Sequence, residues 1–201
     1  MSTFNSDAKQ DEFVANLLKF KKNGYCVDIG SCHSIVSNNT YYFQDLGWTS
    51  ISIEIESGYN ESYSSRKQGV HLNQNALEVD YKKVFEEYEF PQSIDYLSLD
   101  VDTISLNVLQ ILPLDEYRFK VITIEHDAYL YSDTYQKEQR EILTSKGYFL
   151  LCADVYAEQP GYFNKQCAFE DWWIDPNEFD QELIDQIKSD HEYPSQIIAK
   201  F

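Results

Sequence analysis

The chain has 201 residues, enough for one domain with a hydrophobic core, and its formal net charge of −18 disfavours a nucleic-acid partner, whose phosphates it would repel. It has neither a long apolar run nor a signal-peptide core in its polar first residues, so we expect a soluble, cytoplasmic protein without membrane contact. The spacing of its four cysteines predicts neither a zinc site nor a disulfide framework.

Helical and extended segments alternate along the chain. A leading helix is predicted over 11–20, the first strand over Tyr25–Ile29, and a second helix between a cap at Ser37 or Asn38 and a stop at Gly47. Later helices are predicted at 57–66, 80–87, 104–112, 134–146 and 177–188. Later strands are predicted at 49–55, 70–72, 94–99, 119–124, 148–153 and 166–169. Because such alternation implies parallel crossovers, the predicted fold is a doubly wound α/β sheet with helices on both faces, in one domain of residues 1–201.

Polar residues stand at the ends of the predicted strands. The first strand closes on Asp28-Ile29-Gly30, and the next strand ends at Glu54. This layout is typical of nucleoside-binding sites, where the first loop approaches the ligand and a carboxylate accepts hydrogen bonds from the ribose. Further polar residues at this edge are Asn75, Asp100, Asp102, Glu125, His126 and Asp127. Each alone is as consistent with a solvated turn, but four such strand ends together favour a binding site.

The order and spacing of these segments resemble the FkbM-type S-adenosylmethionine-dependent methyltransferases. The resemblance extends from about Gln10 to Pro176 and rests on residues 10–14, 27–30, 37–42, 46–48, 51–54, 75–77, 94–102, 124–126, 147–148 and 169–173. It implies a class I methyltransferase fold, Rossmann-like and mostly parallel, with seven strands of which the last is antiparallel. It also implies methyl transfer, most often to a hydroxyl oxygen.

The resemblance further implies which residues hold the cofactor S-adenosylmethionine. They are Asp28, Gly30, Ser31, His33, Asn39, Thr40, Glu54, Asn75, Ala76 and Asp100. Glu54 would bind both ribose hydroxyls, and the Asp100 carboxylate would lie beside the positive sulfonium. Residues 1–22, with Gln10 and Asp11, would fold over the cofactor as a helical lid, and residues 177–201 would form a C-terminal helix and tail.

Two positions depart from the family's pattern. Ser34, which follows Cys32 and His33, stands where the family usually has a second glycine, and Thr103 stands where a glycine commonly follows the acidic pair of strand four. The missing glycine disfavours an NAD-dependent oxidoreductase, whose loop needs Gly-x-Gly-x-x-Gly. It also motivates the alternative that the chain is a catalytically impaired S-adenosylmethionine- or nucleotide-binding protein of the same fold.

Catalysis requires that the acceptor hydroxyl lose its proton. His126 is the predicted base, with a turn histidine bonded to Asp127 as the alternative, and Asp100 is the second predicted catalytic residue. A metal-assisted version places Mg²⁺ between Asp100, Glu125 and His126, because neighbouring carboxylates would otherwise repel one another.

The methyl acceptor is predicted only as a class: a sugar, a glycan or a small metabolite with a hydroxyl group. Tyr129 and Tyr131 are candidates for its pocket. Trp172 and Trp173 would either stack on the acceptor or anchor the C-terminal segment on the core. His71 is expected to be structural, and the oligomeric state is not predicted.

Overall fold

An eight-stranded sheet runs through the computed structural model, which describes residues 3–130, 132–157 and 167–201. Its strands are β1 (Tyr25–Ile29), β2 (Thr49–Glu54), β3 (Val70–Asn73), β4 (Ser93–Leu99), β5 (Arg118–Glu125), β6 (Phe149–Tyr156), β7 (Ala168–Ile174) and β8 (Ser189–Asp190). They are ordered β3-β2-β1-β4-β5-β7-β6-β8. Strands β1 to β5 pair in parallel, and β7 is antiparallel to both β5 and β6. The predicted doubly wound, mostly parallel sheet is confirmed, with β7 as its antiparallel strand, but it has eight strands rather than the predicted seven because β8 adds to its edge.

Helices cover both faces of this sheet. They are α1 (Gln10–Leu17), α2 (Asn60–Tyr63), α3 (Tyr81–Glu87), α4 (Ser105–Ile111), α5 (Asp133–Ser145), α6 (Gln181–Ile187) and α7 (Pro194–Ile198). Helices α3, α4 and α5 contribute to one buried apolar cluster, and α1, α6 and α7 to the other. Adjacent residues of a strand serve opposite clusters, as Cys26 and Val27 do, because side chains alternate along an extended chain.

Several predicted boundaries were wrong. The leading helix ends at Leu17 rather than at residue 20, since Lys19 and Phe20 adopt left-handed backbone angles. The segment before Gly47 is a 3-10 helix over Tyr41–Leu46, and 57–66 contains only a short 3-10 turn followed by α2. The two-residue strand β8 and the helix α7 were not predicted; β8 pairs in parallel with β6.

The largest error concerns β7. The sequence pattern ended this strand at residue 169, and residue 166, where it was predicted to begin, lies outside the described residues. The strand instead continues to Ile174. It therefore includes Glu170, Asp171, Trp172 and Trp173, which lie beyond the predicted end of the strand. Trp172 and Trp173 are fully buried in opposite core clusters, so they anchor the sheet rather than face an acceptor.

In the part of the chain that the structure describes, none of the helices has the length and apolar character that a bilayer crossing needs.

Candidate active site

A cavity of about 320 Å³ opens at the carboxyl ends of β1, β2 and β4. The predicted cofactor residues that line it are Gly30, Glu54, Asn75, Ala76 and Asp100. Further lining residues that the sequence pattern did not single out include Tyr59, Gln74, Val101 and Ile104. The residues at the strand ends were identifiable from sequence. The other wall residues lie in connecting segments, whose path is defined only in the folded chain.

Gly30 brings the first loop against the end of β4. Its φ of 83° lies in the left-handed region, and a Cβ added to it would stand 1.6 Å from the Asp100 carbonyl oxygen. The Asp100 amide donates to the Ile29 carbonyl at 2.9 Å, and the Gly30 amide donates to the Ile53 carbonyl at 2.9 Å. Only glycine allows this approach, which places Asp100 beside the loop.

Glu54 is oriented by backbone amides. One carboxylate oxygen accepts from the Cys32 amide at 2.8 Å, and the other accepts from the Glu56 amide at 2.8 Å. The side chain is buried, with 6% of its surface exposed. Because a carboxylate has about four acceptor sites, the group retains capacity to accept from a ligand hydroxyl.

Asn75 shapes the wall opposite Glu54. Its side-chain oxygen accepts from the Leu77 amide at 3.1 Å and so caps the 3-10 turn Ala76–Glu78. This bond holds Ala76, which is 6% exposed, against the cavity.

Asp28 and Thr40 lie behind the lining rather than in it. One Asp28 oxygen accepts from the Thr40 hydroxyl at 3.0 Å and from the Asn38 side chain at 3.3 Å. Burial raises the pKa of Asp28 to about 6, although the Thr40 bond and the nearby Arg66 charge act against it. The pair therefore supports the loop from beneath.

The other predicted loop residues also bond to protein. Ser31 is buried and bonded to the Tyr63 hydroxyl at 2.7 Å, and the Asn39 amide donates to the Ser98 hydroxyl at 2.9 Å. His33 accepts from the Ile35 amide at 3.1 Å through its Nδ1. The structure does not bring these three side chains into the cavity lining.

Carboxyl groups cluster beside the cavity, at the ends of β4 and β5. Ligand oxygens of Asp102, Glu125 and Asp127 lie within 4.8 Å of one another. Desolvation, together with the hydrogen bond and charge of Asp100, raises the pKa of Glu125 far above its usual range. Glu125 is hydrogen-bonded to both Asp100 and Asp127. Desolvation also raises the pKa of Asp100 and of Asp127.

Glu170 adds a further carboxyl group from β7. It is paired with Glu125 in the antiparallel register of β5 and β7, so the two side chains share a face of the sheet. Gln10 of α1 donates to Glu170 at 3.2 Å, and burial raises the pKa of Glu170 to about 8. The start of α1 therefore contacts this carboxyl cluster.

His126 lies on the other face, among α5, β6 and β7. Its Nε2 is 3.0 Å from the Gln136 side-chain nitrogen and 3.9 Å from carboxylate oxygens of Asp154 and Asp171. Its Nδ1 accepts from the Ala128 amide at 3.2 Å. Burial lowers the pKa of His126, so the ring is neutral near pH 7.

This position corrects the predicted Mg²⁺ ligands, because His126 is not brought together with Asp100 and Glu125. Consecutive residues at the end of a strand point to opposite faces. Glu125 therefore points toward the carboxyl cluster, and His126 points away from it. Asp102 and Asp127 are its neighbours instead.

The acidic residues around His126 already have a cationic partner. Arg140 of α5 donates to both Asp171 oxygens at 2.8 Å and to Asp154 at 2.8 Å. Although His126, Asp154 and Asp171 are close enough to hold a metal ion, the guanidinium compensates their charge. This group is a structural network between α5 and the sheet.

The sequence predicts Tyr129 and Tyr131 near the acceptor and His71 as a structural residue. Tyr129 is hydrogen-bonded to Asp127 and so lies next to the carboxyl cluster, whereas Tyr131 lies outside the described residues. His71 stacks on Tyr63 with ring centroids 3.8 Å apart, which agrees with the expected structural role.

The model of the methyltransferase FkbM domain matches residues 9–150, which include the cavity and the carboxyl cluster. The chain belongs to the FkbM methyltransferase family. A comparison with curated protein sequences finds no significant match.

Solved structures share the fold of this FkbM family member at low sequence identity. A proposed O-methyltransferase from Klebsiella pneumoniae superimposes with a TM-score of 0.55 and 12% identity, covering 87% of this chain and 83% of that one. The precorrin-6y C5,15-methyltransferase of Geobacter metallireducens superimposes with a TM-score of 0.51 and 12% identity, covering 82% of this chain and 86% of that one. The Methanococcus jannaschii fibrillarin pre-rRNA processing protein superimposes with a TM-score of 0.51 and 13% identity, covering 77% of this chain and 67% of that one. The FkbM family member therefore has the class I methyltransferase fold.

Proposed function

We propose that the protein transfers a methyl group from S-adenosylmethionine to a hydroxyl oxygen of a sugar, a glycan or a small metabolite. The observation that carries this proposal is the cavity that joins Gly30, Glu54 and Asp100 next to the carboxyl cluster. Its volume of about 320 Å³ falls within the usual range for small-molecule sites.

The chemistry of the lining fits the cofactor. Glu54 has acceptor capacity left for a ribose diol, and Asn75 and Ala76 would face the adenine. Asp100 supplies a negative potential, which favours a sulfonium cation. Residues 1–22 are proposed as a lid, supported by the bond from Gln10 to Glu170 and by the 2.9 Å bond from Ser37 to Asp7.

Methyl transfer is an in-line displacement. The acceptor oxygen forms a bond to the methyl carbon, the carbon–sulfur bond breaks, and its electron pair stays on sulfur. A carboxylate of the cluster takes the hydroxyl proton. We propose Asp127 for this role rather than His126, because Asp127 has a raised pKa and adjoins Tyr129, whereas His126 is enclosed on the other face.

A divalent cation is the alternative to a free carboxylate base. Asp102, Glu125 and Asp127 present the hard oxygen ligands that suit Mg²⁺. With Mg²⁺ bound, Asp127 would be a ligand, and the cation would instead lower the pKa of the acceptor hydroxyl. Its charge would also offset the repulsion among the three carboxyl groups.

The charge of the protein supports the acceptor class. A net charge of −18 and a cluster of carboxyl groups at the site disfavour a phosphate-rich acceptor such as nucleic acid. The free thiols of Cys26, Cys32 and Cys152 support the proposed cytoplasmic location, where thiols stay reduced.

Calorimetry with S-adenosylmethionine and S-adenosylhomocysteine tests the proposal. The wild-type protein should bind both, and Glu54→Gln should weaken binding by about tenfold or more, since charged hydrogen bonds to a ligand contribute about 1.5–3 kcal/mol. Glu61→Gln, an exposed change on α2, is the matched control and should bind normally. Absence of binding to either compound would refute the cofactor assignment.

Methyl transfer from a radiolabelled cofactor to candidate hydroxyl compounds then separates enzyme from binding protein. Turnover that falls with EDTA and returns with Mg²⁺ would support the cation. Cofactor binding without transfer to any tested acceptor would favour the alternative of a non-catalytic binding protein.

A further inference from the structure

The loop after β1 is held by α2 and the residues that follow it. Ser34 is completely buried. Its amide donates to the Ser62 hydroxyl at 3.1 Å, and its own hydroxyl donates to the Ser62 carbonyl at 2.7 Å. Ser34 therefore attaches the loop to the helix through both its backbone and its side chain.

Tyr63 makes a second attachment. Its hydroxyl lies 2.7 Å from the Ser31 hydroxyl and 3.1 Å from the Ser31 carbonyl oxygen. The phenol ring is buried and stacked on His71 with an angle of 5° between the ring planes. This stacking limits the motion of the phenol and therefore that of Ser31, which directly follows Gly30.

Arg66 makes the third attachment. Its guanidinium donates to the Ser34 carbonyl at 3.2 Å and to the Thr40 hydroxyl at 2.7 Å. Thr40 in turn donates to Asp28 at 3.0 Å. The guanidinium carbon lies 5.9 Å from the ring centroid of Tyr41 and 6.0 Å from that of Tyr63. Arg66 thus connects Ser34 with Thr40. Through the Thr40 hydroxyl it is also linked to the buried carboxylate of Asp28.

Arg66 also compensates the charge beneath the loop. The groups that face Asp28 are Thr40, Asn38 and Ser98 as hydrogen-bond partners, Arg66 as a cation, and Asp100, Cys26, Cys32, Tyr63 and Tyr96 as acidic groups. Arg66 lowers the pKa of Asp28, whereas burial and Asp100 raise it. Removing the guanidinium would therefore leave Asp28 harder to ionise.

We propose that Ser62, Tyr63 and Arg66 form a clamp that holds the loop after β1 in its cofactor-binding conformation. These are positioning residues, since they act through Ser31, Ser34 and Thr40. The inference rests on the proposed function, because the conformation in question is the one that binds S-adenosylmethionine.

Titration calorimetry with S-adenosylhomocysteine on Arg66 variants is the first test. We expect Arg66→Met to weaken binding about tenfold at pH 7.5, and Arg66→Lys to restore part of the loss, since lysine keeps the charge but not the forked geometry. Lys67→Met is the matched control, because Lys67 is exposed and pairs only loosely with Asp45 at 3.3 Å. Unchanged affinity in Arg66→Met would overturn the proposal.

The pH profile of the same affinity distinguishes positioning from general damage. Binding by the wild-type protein should strengthen as Asp28 ionises, around pH 6. Arg66→Met should move this midpoint to higher pH, and Arg66→Lys should move it less. A uniform loss of affinity at every pH, with an unmoved midpoint, would indicate structural damage only and would contradict the relay through Thr40.

Ser34→Gly is the second test, because it removes the side-chain bond from Ser34 to the Ser62 carbonyl. If the clamp holds the loop, this variant should bind S-adenosylhomocysteine more weakly than wild type. Tighter binding would overturn the proposal. A wild-type protein that fails to bind would refute the proposed function itself, whereas wild-type binding that is indifferent to all these changes would refute only the clamp.

Discussion

Gly30 is the residue at which the site tolerates least change. Its left-handed backbone angle and its contact with the Asp100 carbonyl leave no room for a side chain. This contact sets the distance between the first loop and the end of β4, on which the cavity depends.

Replacing Gly30 by alanine should lower the free energy of unfolding by about 2 kcal/mol or more and abolish cofactor binding, because the new Cβ strains φ and displaces Asp100. Urea denaturation and calorimetry measure the two effects. Gly58→Ala is the control, since a Cβ there meets nothing within 4 Å. Equal stability of the two variants would show that the close contact is not rigid.

A residue's role could be predicted from sequence when that role depends on its neighbours along the chain. Gly30 and Glu54 could be identified because a strand followed by a tight loop, and a carboxylate ending the next strand, are visible in sequence. His126 could not be placed correctly, since its surroundings come from α5, β6 and β7. The signal that could have helped was alternation: if Glu125 faces the cluster, its neighbour must face away.

Helix α5 is attached to the sheet by a polar network as well as by its apolar residues in the core. Arg140 bonds Asp171 of β7 and Asp154 of β6, and Asp171 is completely buried. The same helix carries Lys137, whose ion pair with Asp133 is exposed.

Arg140→Met should destabilise the fold by about 3–5 kcal/mol, because it leaves a buried carboxylate without its partner. Lys137→Met on the same helix should cost no more than about 0.5 kcal/mol, as expected for an exposed pair. Chemical denaturation of both variants measures the difference. Similar losses would mean that the network contributes little to holding α5 on the sheet.

At the level of elements, strands and helices with clear periodicity were predicted well, whereas β7 was not. Two consecutive acidic residues follow its predicted end, yet Glu170 and Asp171 lie within the strand, where they bond to Gln10 of α1 and Arg140 of α5. The extent of β7 therefore depended on Gln10 and Arg140, which lie far away in the chain.

The whole molecule is acidic, and several carboxyl groups are buried in it without full compensation. Burial raises the pKa of Asp28 to about 6 and that of Glu170 to about 8, and the pKa values of Asp100, Glu125 and Asp127 are also raised. Arginine partners lower the pKa values of Asp154 and Asp175. These two groups raise the free energy of unfolding as pH rises, but only at acidic pH.

The free energy of unfolding should therefore fall as pH rises from about 5 to about 8. A carboxyl group with a raised pKa holds more protons in the folded than in the unfolded protein over this interval, so its stabilising contribution is lost as pH passes its folded value. Urea denaturation at several pH values measures the trend. Glu170→Gln should flatten its upper part, and exposed Glu182→Gln should not; stability that rises across the interval would contradict the prediction.

The sequence by itself determined the alternation of elements, the strand ends that carry Gly30, Glu54 and Asp100, and membership of a methyltransferase family, because these follow from local periodicity and from the order of motifs. Only the tertiary structure decided which carboxyl groups cluster, that His126 and the tryptophans are enclosed, and that α2 contacts the loop after β1. The physical reason is that side-chain direction and burial depend on strand register and on residues distant in sequence, as the bonds from Gln10 to Glu170 and from Arg66 to Thr40 illustrate.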